Sequence, residues 1–434
     1  MANNFEKLII TNEEVDARIA RGIEENRKGN FFIKVVDKGD VVKKGVKVSV
    51  VHKKHKFKFG ANIFMLDEFD EEWKNEVYKE KFKKIFNIAT LPFYWNGNEP
   101  EQGKTRYHKT ADKLYRRPPT DLCVEFCLNN GIEPREHALC YEHWYPEWAT
   151  KDGVETLMLH LEKRMKGISE RYAKDIPTIE VTNELFYWEG VKEIIRQMPD
   201  YVERCYALAR KYFPNNQLCI NEEQIRVWQE QENPDYYVMI KELIQKGCPI
   251  DAIGAQFHMF KRKDVYYEQT RTYYNLPNMF RVLDKYASFG KPFQITEITI
   301  PAYSGEAEAE EEQADILEKM YSLWFSHPAM EQIVYWNLVD GYANGMAPGD
   351  MSAGENYYHG GLLRFDMSEK PAYQRLYKLL NEKWNTEGTF ITDENGEISF
   401  RGFFGDYEVV LEDESGSRIF EAKFYKNNDS VEIK

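Results

Sequence analysis

Eight short apolar runs in the middle of the chain constrain its fold more than any other feature. Each run has the composition of a strand, and successive runs are separated by enough helically patterned sequence for a crossover helix. The runs are FKFGANI, IATLPFY, EPREHALCY, TIEVTNE, QLCINEE, DAIGAQFHM, PFQITEI and QIVYWNL. Eight strand–helix repeats over residues 53–385 predict an α/β fold, a (β/α)8 TIM barrel.

Both ends of the chain have a different pattern, which is typical of small β segments. In residues 1–52, a helix near residues 13–27 precedes the alternating runs FFIKVV and VKVSVVHK, which flank the polar turn DKGDVVKKG. This pattern predicts an N-terminal helix with a β-hairpin appendage. Residues 387–434 contain alternating segments separated by DENG, ESGS and KNND, which predict a small antiparallel sheet of about four strands.

The overall charge excludes two classes of partner. A net charge of −14 argues against binding to nucleic acid or to an anionic membrane surface. No apolar run is long enough for a transmembrane helix, and the N-terminus lacks the basic and apolar regions of a signal peptide. We therefore expect a cytoplasmic protein, or a secreted one if a leader has been removed. The six cysteines are scattered without a C-x-x-C pair, which indicates free thiols; the oligomeric state stays undetermined.

Two of the predicted strands end in glutamate. In a barrel of this kind, residues at the carboxyl ends of the strands share one mouth, so Glu184 and Glu297 are expected on roughly opposite sides of it. Glycoside hydrolysis needs such a pair, because one carboxylic acid protonates the departing oxygen while the other carboxylate attacks the anomeric carbon or activates water. The separation that distinguishes retention from inversion is left open by the sequence.

An ordered set of motifs resembles glycoside hydrolase family 10, the endo-1,4-β-xylanase family. The motifs are FKFGANIF, WNGNEPEQGK, HALCYEHWYPEW, VTNE, IGAQFH, ITEI, WNLVDGY and KPAY, and together they cover the predicted barrel. The resemblance implies a retaining mechanism without cofactor or metal, acting on β-linked xylan or xylo-oligosaccharides. It also implies that Glu184 is the acid/base and Glu297 the nucleophile.

The resemblance assigns further roles to residues at matching motif positions. Asn183 is expected to bond the 2-hydroxyl of the cleaved sugar, and His258 to hold the nucleophile with Gln256 beside it. Trp336 is expected to form an apolar floor under that sugar, and His137 to support it.

Two segments depart from the family pattern. Where the family carries E-N-x-x-K-W to hold the non-reducing sugars, this chain has TLPFYW, so only Trp95 remains, with Tyr94 before it. Glu142 replaces a family histidine; we expect it to bind hydroxyls, or His143 to take its place in a shifted register. Tyr94, Trp95 and Glu142 are therefore candidate substrate-binding residues.

These departures leave other functions open. The same mechanism on another β-glycan or on a glycosylated small molecule is one alternative, and a non-catalytic carbohydrate-binding barrel is another. A metal-dependent hydrolase would use His137, Glu142 and His258, although no ligand spacing favours it.

Overall fold

The computed structural model describes residues 8–413 and 416–434. These residues form two compact units. One unit contains residues 59–319 and 329–374 together with the described residues before Asn12. The other contains Asn12–Lys58, Met320–Pro328 and Arg375–Lys434.

The elements alternate between strand and helix through most of the chain. The strands are β1 (Lys28–Val35), β2 (Lys47–His55), β3 (Lys58–Asn62), β4 (Ile88–Pro92), β5 (Glu133–His137), β6 (Thr178–Asn183), β7 (Gln217–Asn221), β8 (Ala252–His258), β9 (Phe293–Thr299), β10 (Met330–Tyr335), β11 (Glu387–Ile391), β12 (Glu397–Phe403), β13 (Gly405–Asp413), β14 (Gly416–Phe424) and β15 (Ser430–Ile433). The helices are α1 (Glu13–Arg27), α2 (Glu72–Ile85), α3 (Trp95–Asn98), α4 (Thr120–Asn129), α5 (Glu147–Thr150), α6 (Val154–Tyr172), α7 (Glu189–Gln197), α8 (Tyr201–Tyr212), α9 (Gln224–Val227), α10 (Asp235–Gln245), α11 (Tyr266–Thr270), α12 (Leu276–Ala287), α13 (Ala307–Ser326) and α14 (Pro371–Lys378). Within the described ranges, no helix is both long and apolar enough to span a bilayer.

Strands β3 to β10 close into a barrel in chain order, with β10 beside β3. Each of the eight apolar runs contains one of these strands, so the predicted (β/α)8 barrel is confirmed. The strands are buried on both faces: every residue of β4, β6, β8 and β9 is buried. Burial on both faces explains why these runs are continuously apolar instead of alternating.

The second unit is a β-sandwich, and it corrects the predicted hairpin. Strands β1 and β2 do not pair with each other. Instead, β1 lies between β12 and β15 in a three-stranded sheet, while β2 lies between β11 and β13 in a four-stranded sheet that ends with β14. The alternating pattern defines which face of a strand is buried, but it does not select the pairing partner, and here the partners come from the other end of the chain.

The C-terminal segment also differs from its prediction. Residues 387–434 contribute five strands, distributed over the two sheets, instead of one antiparallel sheet, and β15 runs parallel to β1. The inner faces share one core that includes Phe31, Val50, Phe400 and Phe424, with Phe31 stacked on Phe424 at a centroid distance of 4.6 Å. Neither terminal segment holds enough apolar surface for this core alone, which is why the two segments fold together.

The N-terminal helix lies where it is predicted. Helix α1 begins at Glu13, and the Asn12 side chain caps it by accepting a hydrogen bond from the Val15 amide at 2.9 Å.

Candidate active site

A cavity of about 910 Å³ opens at the carboxyl ends of the barrel strands. Its wall includes most of the residues that the sequence singles out: Tyr94, His137, Asn183, Glu184, Gln256, His258, Glu297 and Trp336. These residues come from β4 to β10 and the segments that follow them, which is the expected arrangement for a barrel active site.

Glu184 follows β6 directly and is held by three hydrogen-bond donors. Its Oε2 accepts from the Tyr141 hydroxyl at 2.6 Å and from the Trp188 indole at 2.8 Å, and its Oε1 accepts from Gln256 Nε2 at 2.8 Å. The backbone of Glu184 is left-handed, with φ of 54°, a conformation that is unfavourable for a glutamate and is concentrated at functional sites. Burial, followed by the negative charge of Glu297, raises the pKa of Glu184 despite the three donors.

Glu297 lies on β9 and faces a different set of donors. Its Oε2 is 3.0 Å from His258 Nε2, and its Oε1 accepts from Asn221 Nδ2 and Gln256 Nε2, both at 3.1 Å. The other ring nitrogen of His258 is 2.9 Å from the Thr299 hydroxyl, which fixes the orientation of the ring. Each of these donors stabilises the ionised form of the carboxylate, as a nucleophile requires.

Gln256 sets the distance between the two carboxylates. Its single Nε2 atom lies 2.8 Å from Glu184 Oε1 and 3.1 Å from Glu297 Oε1. Because both oxygens are held by the same nitrogen, these two distances bound their separation at 5.9 Å. Retaining glycosidases hold their carboxyl groups about 5–5.5 Å apart, whereas inverting enzymes need about 6.5–9.5 Å to admit a water molecule. The geometry therefore fits retention.

Asn183 has one satisfied and one unsatisfied polar atom. Its Oδ1 accepts from Asn221 Nδ2 at 2.9 Å, which orients the amide. Its buried Nδ2 has no hydrogen-bond partner in the part of the chain that the structure describes. Leaving a buried donor unpaired costs free energy, so an acceptor supplied by a bound molecule stabilises this site.

A buried ionic network supports the floor of the cavity. Glu180 forms an ion pair with Arg135 and accepts from His137 Nδ1 at 2.8 Å, while His137 Nε2 lies 3.1 Å from the Tyr94 hydroxyl. Burial favours the neutral forms, but the mutual attraction outweighs it, so the pKa of Glu180 is lowered and that of His137 is raised. A protonated His137 donates from both ring nitrogens, which leaves the Tyr94 hydroxyl proton available to the cavity.

Aromatic rings form the remainder of the cavity wall. Trp336 packs edge-on against Phe64, His137 and His258, with centroid distances of 5.2, 5.7 and 5.7 Å. Tyr94 stacks on Trp144 at 4.9 Å. These contacts fix the position of the Trp336 ring, whose exposed surface suits the apolar face of a sugar ring.

The structure corrects the placement of two predicted residues. Glu142 is not part of the cavity wall; it begins a short 3₁₀ turn, Glu142–Trp144, and its carboxylate packs so closely on Gly190 that a side chain at Gly190 would overlap it. The turn directs His143 to the cavity instead, where it stacks on Trp188 at 3.7 Å. The alternative in which His143 takes this place therefore matches the geometry.

Trp95 is likewise absent from the wall. It is the first residue of α3, is only 2% exposed, and donates its indole N–H to Glu99 at 3.1 Å. Because the helix begins there, the preceding residue, Tyr94, is the one that faces the mouth. Trp95 packs beneath it against Tyr145 and Trp148.

Sequence reasoning missed several residues of the site. Asn221, which contacts both Asn183 and Glu297, ends β7 and was detectable by the same strand-end rule that selects Glu184. Tyr141 and Trp188, which bond Glu184, lie in loops, and no periodic signal marks them. Among residues 8–413 and 416–434, no group of three or more potential metal ligands clusters.

The comparisons with known proteins agree with this geometry. A family model described as glycosyl hydrolase family 10 matches residues 51–378, which is most of the chain. The chain belongs to glycosyl hydrolase family 10. The matched range contains the whole barrel and all the cavity residues described above.

Similar proteins include xylanases and one longer protein of another name. The chain is 27% identical over 399 residues to the anti-sigma-I factor RsgI6 of Acetivibrio thermocellus, covering 90% of this chain but only 45% of that protein. It is 27% identical over 320 residues to endo-1,4-beta-xylanase B of Thermotoga neapolitana, covering 71% of this chain and 84% of the xylanase. The crystal structure of native xylanase 10B from Thermotoga maritima has the same fold, with a TM-score of 0.59, 24% identity and coverage of 76% and 96%.

Proposed function

We propose that this protein is a retaining β-glycosidase that hydrolyses β-1,4-linked xylan or xylo-oligosaccharides by double displacement. The observation that carries the proposal is the contact of one Gln256 nitrogen with both Glu184 and Glu297, which keeps their nearest oxygens within 5.9 Å. Family membership and the xylanases among the similar proteins support the substrate class.

In the first step, Glu297 attacks the anomeric carbon and forms a covalent glycosyl ester. Glu184 simultaneously transfers its proton to the departing glycosidic oxygen. The raised pKa of Glu184 keeps that proton available, and the donors around Glu297 hold the nucleophile ionised and oriented. The aglycone then leaves as a neutral alcohol.

In the second step, water hydrolyses the ester. Glu297 carries no charge while it is esterified, so the electrostatic contribution that raises the pKa of Glu184 is absent. Glu184 is then ionised and accepts a proton from the attacking water, which restores both carboxyl groups to their starting states.

Three further side chains act on the sugar at the cleavage point. The unpaired Nδ2 of Asn183 donates to the 2-hydroxyl, a hydrogen bond that strengthens as the transition state forms. Trp336 supports the apolar face of the ring, and the Tyr94 hydroxyl, positioned by His137, donates to another sugar oxygen.

A second candidate is the same mechanism on a different β-linked glycan or glycoside. The observation that favours it is the Tyr94–Trp144 stack on the cavity wall, where the family pattern has a polar grip. Thr90 and Leu91, which replace two residues of that grip, are fully buried in β4 and offer no group to a ligand. The third possibility, a binding protein without catalysis, predicts no turnover of any substrate.

The test compares wild type with Glu297→Ala on xylo-oligosaccharides and a panel of aryl β-glycosides. Wild type is expected to release sugar from xylosides, and the variant is expected to lose several orders of magnitude in kcat. Incubation with a 2-fluoro-xyloside should also add one sugar mass to Glu297 in wild type only. Turnover of a different sugar alone would favour the second candidate, whereas no turnover and no adduct would favour the binding protein.

A further inference from the structure

Arg117 is a cavity-lining cation without an anionic partner. It belongs to the cavity wall and is only 6% exposed. Its guanidinium lies over the rings of Tyr94 and Trp144, with Cζ at 4.2 and 4.9 Å from their centroids. Within the described chain, no carboxylate lies at ion-pair distance from it. The mechanism described above leaves this residue without a task.

Most of the hydrogen-bonding capacity of Arg117 is unused. Nη1 donates to the backbone carbonyl of Arg116 at 2.9 Å, whereas Nε and Nη2 donate to no group in the described ranges. These two nitrogens form one edge of the planar fork, which is the edge that pairs with a carboxylate in a bidentate manner.

The neighbouring arginine shows what a structural role looks like in the same wall. Arg116 donates to the carbonyl of Tyr342 and to Asn337 Oδ1, so both of its terminal nitrogens are used within the protein. Glu355, the acidic residue on that side of the wall, is occupied by Asn337 Nδ2 at 2.7 Å. Glu355 therefore does not serve as the direct counter-ion of Arg117.

A desolvated guanidinium without a counter-ion is energetically costly. Burial lowers the pKa of Arg117 to about 10, so the group is still cationic at neutral pH. Stacking on Tyr94 and Trp144 offsets a part of this cost. A neutral sugar hydroxyl accepts one hydrogen bond but leaves the charge uncompensated, whereas a carboxylate satisfies both the charge and the free edge of the fork.

We propose that Arg117 binds the carboxylate of a uronic acid carried by the glycan, on the sugar unit next to Tyr94. The proposal rests on the proposed function in one respect, namely that the cavity holds a β-linked glycan. It identifies the substrate class more closely as an acidic glycan, with Arg117 as a specificity-determining residue.

The test is a binding measurement that does not need hydrolysis. Glu297→Ala is titrated calorimetrically with xylotriose bearing one glucuronic acid substituent and with the same molecule after reduction of that carboxyl group to the alcohol. Two positional isomers are used, with the substituent on the non-reducing or the reducing unit. Because the ligands of each pair differ only at the carboxyl group, the ratio of their Kd values reports its recognition.

We expect the acidic form of one isomer to bind about 10- to 100-fold more tightly than its reduced form, as is typical for a charge-assisted pair. Arg117→Met should remove this preference while leaving the Kd of the reduced ligand within a few-fold. Arg262→Met is the matched control, because Arg262 also belongs to the cavity wall but pairs with Asp264 at 3.1 Å. That variant should keep the preference. If Arg117→Met does not fold, Arg117→Lys keeps the charge but loses the fork and should keep only part of the preference.

Three results would overturn the proposal: no preference for either acidic ligand, a preference that survives Arg117→Met, or an equal loss of affinity for both members of the pair. Failure of the proposed function is a separate outcome. A protein without turnover that still prefers the acidic ligand through Arg117 would refute the hydrolase and retain the acidic-glycan site.

Discussion

At the scale of single residues, the site depends on how differently two glutamates are surrounded. Glu184 is buried among Tyr141, Trp188 and Gln256, and the charge of Glu297 adds to the effect of burial. Glu297 instead receives donors from His258, Asn221 and Gln256. The same residue type is thereby suited to opposite tasks, since one environment retains a proton and the other stabilises a negative charge.

The first prediction concerns the alkaline limb of the pH profile. The hydrogen bond from the Tyr141 hydroxyl stabilises the ionised form of Glu184 and lowers its pKa. Tyr141→Phe should therefore raise that pKa, and the pH at which kcat/KM falls by half on the alkaline side should move upwards. The measurement is kcat/KM against pH for wild type and variant.

Tyr145→Phe provides the control for this prediction. The Tyr145 hydroxyl bonds Tyr201 at 2.7 Å and does not touch Glu184, so the alkaline limb should stay in place. A downward shift in Tyr141→Phe, or equal shifts in both variants, would contradict the electrostatic explanation.

At the scale of elements, the strands of the barrel and those of the sandwich differ in how well sequence defines them. Barrel strands pair in chain order, so finding the eight runs also gives the topology. In the sandwich, β1 pairs with β12 and β15, which lie more than 350 residues away along the chain. Its pattern of buried residues is clear, but several other strands present an equally suitable edge.

The second prediction concerns two buried histidines of the sandwich. His52 packs against Tyr407 and edge-on against His55, and burial lowers the pKa of His52 to about 4 and that of His55 to about 3. In the unfolded chain both titrate near the ordinary pKa of about 6.5. Between pH 6.5 and 4 the unfolded state therefore binds more protons, so stability is lost as the pH falls, by about 1.4 kcal/mol per pH unit for each histidine.

His52→Phe keeps a ring of similar size against Tyr407 and removes one of these protons. Urea unfolding at pH 7 and pH 5 should show a smaller loss of stability for the variant than for wild type. His108→Phe is the control, since His108 is exposed in the other unit and should leave the pH dependence unchanged. An unchanged pH dependence in His52→Phe would show that His52 is not held neutral in the folded state.

At the scale of the whole molecule, the six cysteines are all free and five are buried. Cys248 is the exception, with intermediate exposure. The sequence indicates free thiols, and the structure agrees. The stability of the fold therefore derives from its two apolar cores, without covalent cross-links within the chain.

The third prediction follows from this distribution. Ellman's reagent should modify about one thiol rapidly in the native protein and all six after denaturation, because burial excludes the reagent from five of them. Cys248→Ser should abolish the rapid phase, and a reducing agent should leave the thermal midpoint unchanged. Rapid modification of several thiols would indicate that a core opens on the timescale of the assay.

The sequence by itself determined the barrel, the two glutamates and most of the residues around them. It did so because the fold is repetitive: a strand's carboxyl end has one possible destination in a closed parallel barrel, so Glu184, Gln256 and Glu297 must meet. Side chains beyond the strand ends do not obey this rule. Glu142 and Trp95 lie in turns whose direction depends on local packing, and the structure turns both away from the cavity.

Only the tertiary structure decided three further matters. It gave the separation of the carboxylates, which depends on one shared Gln256 nitrogen. It joined the two ends of the chain in one sandwich, because neither end buries enough apolar surface alone. It also left Arg117 in the cavity wall with a free edge. Each of these is a relation between residues far apart in sequence, and local patterns carry no information about distances across the fold.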